Sequence, residues 1–143
     1  MDKYKKVENL LSNYNMLKIS IDNMKKDIEY LNKECGVNGI SFDEVGTSPT
    51  NNISSVVEST VLSISEEKEE LNIKIEDNKR KIDSVDRALE GLTEVERTIL
   101  EGKYICSRQW WEVAGIVKYG ERHCKRIRTA AINKMVVGIY GSK

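Results

Sequence analysis

Apolar residues near the N-terminus recur at the alternating three- and four-residue spacing of a coiled-coil seam. Eight successive seam positions are apolar, namely Val7, Leu10, Tyr14, Leu17, Ile21, Met24, Ile28 and Leu31. A stripe confined to these positions is narrower than the buried face of an ordinary globular helix. The pattern therefore predicts a helix over about residues 3–35 that packs against another helix, with Gly36 suited to the residue after its end.

A second stretch with the same spacing predicts another long helix, over about residues 55–91. Ser55 and Glu58 fit a capping box at its start. Its seam positions are Val61, Ile64, Lys68, Leu71, Ile75, Asn78, Ile82, Val85, Leu89 and Leu92. The two polar positions, Lys68 and Asn78, either weaken the seam or fix its register at some cost in stability.

Between the two helices, residues 36–54 are rich in glycine, asparagine and hydroxyl side chains and include Pro49, which predicts a long loop. A loop of this length allows the helices to pair as a hairpin, because closure entropy rises slowly with length. Pairing between copies of the chain fits the pattern equally well, and a homo-oligomer through the coiled coil is the expected assembly.

The heptad spacing gives way to shorter helices after Gly91, and we place a domain boundary there. Residues 1–91 are predicted to form a coiled-coil arm, and residues 92–143 a second small domain. Thr93 and Glu96 supply another capping box, for a helix that ends near Ile105. The chain is therefore predicted to be all-α.

Within the second domain, the pattern is typical of a helix-turn-helix. A supporting helix over residues 110–117, a turn over 118–120 and a recognition helix over about 121–135 are predicted, with Ala114 where the two helices cross. The apolar positions that would lock the two helices are Val113, Val117, Tyr119, Cys124 and Ile127. Trp110 is expected in the core, and Trp111 is the better candidate for partial exposure.

The recognition helix has an apolar side and a polar side. Cys124, Ile127, Ala131 and Ile132 share the apolar side. The opposite side, called here the predicted groove face, consists of Glu121, Arg122, Lys125, Arg126 and Thr129. His123, Arg128 and the turn residue Lys118 complete the candidate DNA-binding residues. Arginine can bind guanine through two hydrogen bonds, and both basic side chains can neutralise phosphates. A merely solvated basic surface is the alternative.

Charge is distributed unevenly along the chain, although the formal net charge is zero. Residues 103–143 carry nine basic and two acidic side chains, a net charge of +7, and the first 102 residues carry −7. A basic end attached to an acidic body is expected of a protein whose C-terminal part binds a polyanion such as double-stranded DNA.

Catalytic, metal and membrane chemistry are not predicted. His123 is the only histidine, which removes most general-base schemes, and no glycine-rich phosphate loop is present. The cysteines, Cys35, Cys106 and Cys124, have no metal-type spacing, so neither a metal nor a cofactor is expected. No apolar run reaches the roughly 18 residues of a membrane span, and the N-terminus lacks the apolar segment of a signal peptide. We expect a non-enzymatic protein in a reducing cytoplasm.

The C-terminal part resembles region four of sigma factors. The resemblance rests on Ala88–Arg97, Trp110–Ala114, Tyr119–Gly120 and Arg126–Met135. It is closer still to the sigma-like phage regulators of the ArpU and RinA type, found in phages and prophages of Gram-positive bacteria. Those proteins often have an N-terminal helix, a loop similar to residues 46–50 and a long charged helix that leads into the sigma-like domain. Gly120, where serine is usual, departs from the pattern and weakens the predicted helix cap.

The resemblance implies a regulator of transcription, typically of late phage genes, that acts in the bacterial cytoplasm. It implies that the predicted groove face contacts double-stranded DNA, and it makes RNA polymerase a possible partner. Two other classes fit the same elements. One is a DNA-packaging adaptor similar to a small terminase subunit. The other is a protein that binds polymerase or sigma factor without reading DNA.

Overall fold

The computed structural model describes residues 2–34 and 51–142. This part of the chain contains six α-helices and no strand, so the prediction of an all-α protein is confirmed. The helices are α1 (Lys3–Ser12), α2 (Tyr14–Glu34), α3 (Asn51–Glu90), α4 (Glu94–Leu100), α5 (Trp110–Val117) and α6 (Glu121–Tyr140). Helix α4 continues directly into a π-helical turn, Glu101–Ile105. None of the described helices is both long and apolar enough to cross a membrane.

Two of the predicted helix boundaries are wrong. The single helix expected over residues 3–35 is interrupted at Asn13, whose ψ of 2° departs from helical values. Asparagine suits such an interruption because its side chain competes with helical hydrogen bonds. Helix α3 begins at Asn51, so Ser55 lies inside the helix and is not its N-cap. The four residues before Ser55 include neither proline nor glycine, so nothing in them prevents the earlier start.

A third predicted boundary is also wrong, because α6 continues to Tyr140, five residues beyond its predicted end at about residue 135. Helix α3 ends at Glu90, immediately before Gly91, as predicted. The predicted loop at 36–54 falls outside the described residues as far as residue 50, and so does the predicted helix end at Cys35 and Gly36.

Contacts divide the chain into two compact units. Unit 1 comprises Met1–Lys18 with Lys79–Lys143, and unit 2 comprises Ile19–Asn78. Residues from both ends of the sequence thus share unit 1. The domain boundary near Gly91 stays a prediction, and an experiment that tests it is given in the Discussion.

In unit 2, the polar seam residue Asn78 has a partner on the other long helix. Its Nδ2 donates a hydrogen bond to Ser20 Oγ at 3.0 Å. Ile21 and Ile75 are buried on the predicted seam, whereas the predicted seam residue Val61 is exposed. A partnered polar group at one seam position supports the role of Asn78 in fixing register. The bond joins α2 and α3 of the same chain, and pairing between copies of the chain stays a prediction.

In unit 1, helix α1 packs against α6 and against the π-helical turn. Val7 and Leu11 of α1 are fully buried, although Leu11 lies outside the predicted seam. Tyr104 Oη of the π-turn donates to Glu8 Oε1 of α1 at 2.8 Å. Burial, together with this bond to a carboxylate, raises the pKa of Tyr104 to about 12. The N-terminal helix is therefore part of the packed core beneath α6.

The end of α3 is closed by a side chain from α4. The Arg97 guanidinium donates from Nε to the Leu89 carbonyl at 3.1 Å and from Nη2 to the Glu90 carbonyl at 3.3 Å. The last carbonyls of a helix have no partner within the helix, and a cation is also favoured at this end by the helix dipole. Arg97 therefore connects α4 to the preceding helix.

A partly buried ion pair holds α4 against α6. Lys134 Nζ lies 2.7 Å from Glu96 Oε1, and Glu96 is 8% exposed. The Thr93 hydroxyl donates to the same carboxylate oxygen at 3.0 Å. Burial alone would raise the pKa of Glu96, but the hydrogen bonds from Lys134 and Thr93 outweigh it, so the pKa is lowered from its ordinary 4.5.

We expect this carboxylate to make stability depend on pH in acid. A lowered folded-state pKa stabilises the fold above the unfolded pKa, and the contribution is lost as the pH falls through the folded value. Wild-type unfolding free energy should therefore drop as the pH falls below about 4.5. Glu96→Gln should be less stable at pH 7 and should lack part of this drop. Urea unfolding at several pH values measures both, and an identical pH profile for the two proteins would contradict the assignment.

Candidate nucleic-acid interface

Helix α5 has the predicted bounds, Trp110–Val117, and begins with a side-chain-to-backbone bond. Gln109 N donates to Glu112 Oε2 at 3.2 Å, so the N-terminal backbone is partly satisfied by a side chain three residues on. Val113 is almost fully buried. A Cβ added to Gly102 would lie 3.4 Å from Val113 Cγ2, an ordinary van der Waals contact, so the π-turn packs directly against α5 at this point. Ala114, the small residue predicted at the crossing, packs against the apolar cluster described below.

The connection between α5 and α6 is short. Lys118 adopts the left-handed conformation, with φ 61° and ψ 36°, and ends α5. Gly120 precedes α6 in an extended conformation and gives it no side-chain cap. A left-handed residue followed by an extended one reverses the chain in three residues, which agrees with the predicted turn at 118–120.

Lys118 provides a direct test of this turn. A residue other than glycine in the left-handed conformation costs the folded state about 1–2 kcal/mol, and glycine removes this cost. Glycine also raises the entropy of the unfolded chain, which offsets part of the stabilisation. We expect Lys118→Gly to raise the unfolding free energy by about 0.5–1 kcal/mol in urea denaturation. Lys118→Ala removes the same charge but keeps the positive φ, and should give no such gain. Equal stabilisation by both variants would assign the effect to charge.

Beneath the two helices lies a small apolar cluster formed by Ile99, Val113 and Cys124. Five partly buried side chains pack against it, namely Val95, Trp110, Ala114, Val117 and Ile127. Of the predicted locking residues, only Tyr119 is wrong: it is 43% exposed, and its ring packs edge-on against His123. The turn leaves its side chain outside the cluster. Burial raises the pKa of the Cys124 thiol, which therefore remains a neutral apolar group here.

All residues of the predicted groove face lie on the exposed surface of α6. The Thr129 hydroxyl donates to the Lys125 carbonyl at 3.1 Å, which leaves its oxygen available as an acceptor. On the opposite side of α6, Ala131, Ile132, Met135 and Val136 are buried. The helix is therefore held by one face while its arginines and lysine project from the other.

The three remaining candidate residues have different surroundings. Lys118 and His123 are exposed. Arg128 is half-buried, and its guanidinium lies 5.4 Å from the centre of the Trp110 ring. Its Nε is buried without a hydrogen-bond partner among the described residues. Arg128 thus contacts the protein interior as well as the surface.

Two residues of this surface were missed by the sequence analysis. Asn133 is exposed and borders the same shallow depression as Arg122, Arg126 and Thr129. Asn133 follows Arg122 by eleven residues, about three helical turns, so the two lie on the same side of α6. This spacing was the signal that could have revealed it. Lys103 lies in the π-turn, with Nζ 5.2 Å from the centre of the Trp110 ring. No spacing in the sequence connects Lys103 to α6, because their proximity is created by tertiary packing.

Among the described residues, no group of three or more His, Cys, Asp or Glu side chains is placed to hold a metal ion. Cys106 is exposed and Cys124 is buried, and both are free thiols. What the exposed surface of α6 offers is a set of hydrogen-bond donors and positive charges on a rigid helix.

Comparison with known proteins gives a family. Residues 3–136 match the family model DUF722, described as a protein of unknown function. The match spans most of the chain, and the chain belongs to this family. No curated protein and no solved structure matches it.

Proposed function

We propose that the chain is a sequence-specific double-stranded DNA-binding protein that regulates transcription, with α6 in the major groove. The observation that carries the proposal is the two-sided character of α6. One face is buried against α1, α4 and α5, and the other presents Arg122, Lys125, Arg126 and Thr129 to solvent. An α-helix fits the major groove, where side chains can reach the edges of the bases.

The arrangement of α5 and α6 supports the proposal further. The two helices contact each other across a three-residue turn, with a shared apolar cluster between them. In proteins that bind DNA through a helix-turn-helix, the first helix supports the second and crosses the phosphate backbone. The excess of nine basic over two acidic residues from position 103 onward favours a polyanionic partner.

The resemblance to sigma-like phage regulators gives the proposal its biological setting, the control of phage or prophage genes. Contact with RNA polymerase and self-association through the long helices stay predictions of the sequence. The coiled-coil arm with a helix-turn-helix at its end is the architecture that we propose for these roles.

Selection of bound duplexes from a random DNA pool tests the proposal directly. The proposed function predicts that successive rounds enrich one short motif and that affinity for it falls steeply as salt increases. Typical specific binding is roughly 10³–10⁷-fold tighter than nonspecific binding. Enrichment of no motif, with equal weak affinity for all duplexes, would contradict sequence-specific readout.

A further inference from the structure

Three positive charges converge on the ring of Trp110, at the start of α5. Lys103 Nζ, Lys125 Nζ and Arg128 Cζ lie 5.2, 5.7 and 5.4 Å from its centre. They come from the π-turn and from two positions on α6. Within the described part of the chain, no carboxylate forms an ion pair with Lys103 or Lys125. We call these three residues the Trp110 cation cluster.

The aromatic ring compensates only part of the repulsion among these charges. A cation over an aromatic face gains only a small electrostatic attraction at an exposed site. An indole has two faces, so at least two of the three cations share one face. All three lie within 5.7 Å of the ring centre, and physiological salt, with a Debye length of about 8 Å, screens only part of the repulsion between charges at such separations. A bound anion would relieve this repulsion.

The backbone that carries Lys103 is held in an unusual conformation. Lys103 belongs to a π-helical turn, and such turns are frequent at functional sites. The following loop contains Ser107 with φ 53°, a conformation that costs a non-glycine residue free energy. Two bonds hold the loop: Arg108 N donates to the Gly102 carbonyl at 2.9 Å, and Lys103 Nζ donates to the Arg108 carbonyl at 3.4 Å. The side chain of Lys103 is thus held beside the ring.

Arg128 is the fixed member of the cluster. It is half-buried against the Trp110 ring, and its Nε is buried without a hydrogen-bond partner among the described residues. Lys125 is exposed, and the Lys103 ammonium keeps two further donors beyond its bond to the Arg108 carbonyl. The cluster therefore combines one anchored charge with two side chains that can close on a ligand.

We propose that the Trp110 cation cluster binds a phosphate of the DNA backbone, beside the bases contacted by α6. The inference rests on the proposed function and deepens it, because it separates the residues that position the duplex from those that read it. Phosphate contacts fix register and orientation but carry no direct sequence information. Lys103 and Lys125 supply affinity for any duplex, while Arg122 and Arg126 supply the choice of sequence.

Lys103→Ala tests this division in the full-length chain. The probe is the duplex obtained by selection, together with a variant of it in which the motif is scrambled. We expect Lys103→Ala to weaken binding to both duplexes by a similar factor, about tenfold in low salt. The slope of log K against log salt concentration should fall by about one. Lys26→Ala, an exposed lysine of α2, is the control with the same change in charge.

The outcomes separate the two proposals. If Lys103→Ala has the affinity and salt slope of Lys26→Ala while Arg126→Ala loses preference for the motif, the phosphate site is wrong and the proposed function stands. If Lys103→Ala changes the preferred motif, the residue reads bases and the division is also wrong. A wild-type chain that binds neither duplex in low salt overturns both proposals. Urea unfolding of Lys103→Ala confirms that lost binding does not come from lost folding.

Discussion

Simultaneous replacement of Lys125 and Arg126 by alanine is expected to abolish most duplex binding, with a loss of about a hundredfold or more in affinity. Loss of a bidentate arginine–base contact costs about 1–3 kcal/mol of binding free energy. Loss of a phosphate contact means that one counterion fewer is released from the DNA on binding, which also lowers the affinity. Both side chains are exposed, and the described residues provide no salt bridge for either. Their removal should therefore leave the fold intact, and the effect should appear in binding alone.

The two single variants are expected to lose different parts of DNA binding. Arg126→Ala should lose preference for the selected motif over a scrambled duplex, because a base contact is removed. Lys125→Ala should weaken binding to both duplexes alike, because its ammonium belongs to the Trp110 cation cluster. Titration by fluorescence anisotropy at several salt concentrations measures affinity, preference and salt slope together.

A charge-matched control distinguishes a local contact from general electrostatics. Lys26 and Lys33 are exposed residues of α2, and replacing both by alanine removes the same two charges. This control should change affinity far less than the Lys125→Ala, Arg126→Ala double variant. If both double variants weaken binding equally, net charge alone accounts for the loss. Unchanged binding in the Lys125, Arg126 variant would show that the predicted groove face is wrong.

The spacing of apolar residues was sufficient to predict where α5 and α6 begin and which side of α6 is buried. The bounds of α5, the turn after it and the start of α6 agree with the sequence analysis. The burial of Cys124 and Ile132 and the exposure of Arg122 and Arg126 agree as well. Such features depend on residues three or four positions apart, which the sequence displays directly.

Features created by long-range packing could not be predicted in the same way. Leu11 is fully buried although it lies outside the heptad seam, because α1 packs against α6 and the π-turn as well as continuing the seam. The hydrogen bond between Tyr104 and Glu8 joins residues 96 positions apart. Lys103 reaches Trp110 through a π-turn, an irregularity that the spacing of apolar residues did not predict. These contacts connect the two ends of the sequence within unit 1.

A fragment of residues 92–143 is expected to be largely unfolded. In the full chain, α6 packs against α1, and the carbonyls bound by Arg97 belong to Leu89 and Glu90. The fragment loses these partners and the Glu8 acceptor of Tyr104, and it exposes the surface that Val7 and Leu11 cover. A chain of about 50 residues buries too little surface to tolerate such losses easily. Circular dichroism should therefore show low helix content and no cooperative thermal transition.

The same reasoning predicts a large effect from one substitution in the full-length chain. Leu11 is fully buried, and Leu11→Ala should lower the unfolding free energy by about 2–5 kcal/mol through lost burial and a residual cavity. Met16, 66% exposed in α2 and also in unit 1, is the matched control, and Met16→Ala should change it by less than about 0.5 kcal/mol. Duplex affinity of Leu11→Ala should fall at temperatures where the variant unfolds, because α1 supports α6. A cooperative transition in the 92–143 fragment, with Leu11→Ala without effect on duplex binding, would contradict this view and place the boundary near Gly91.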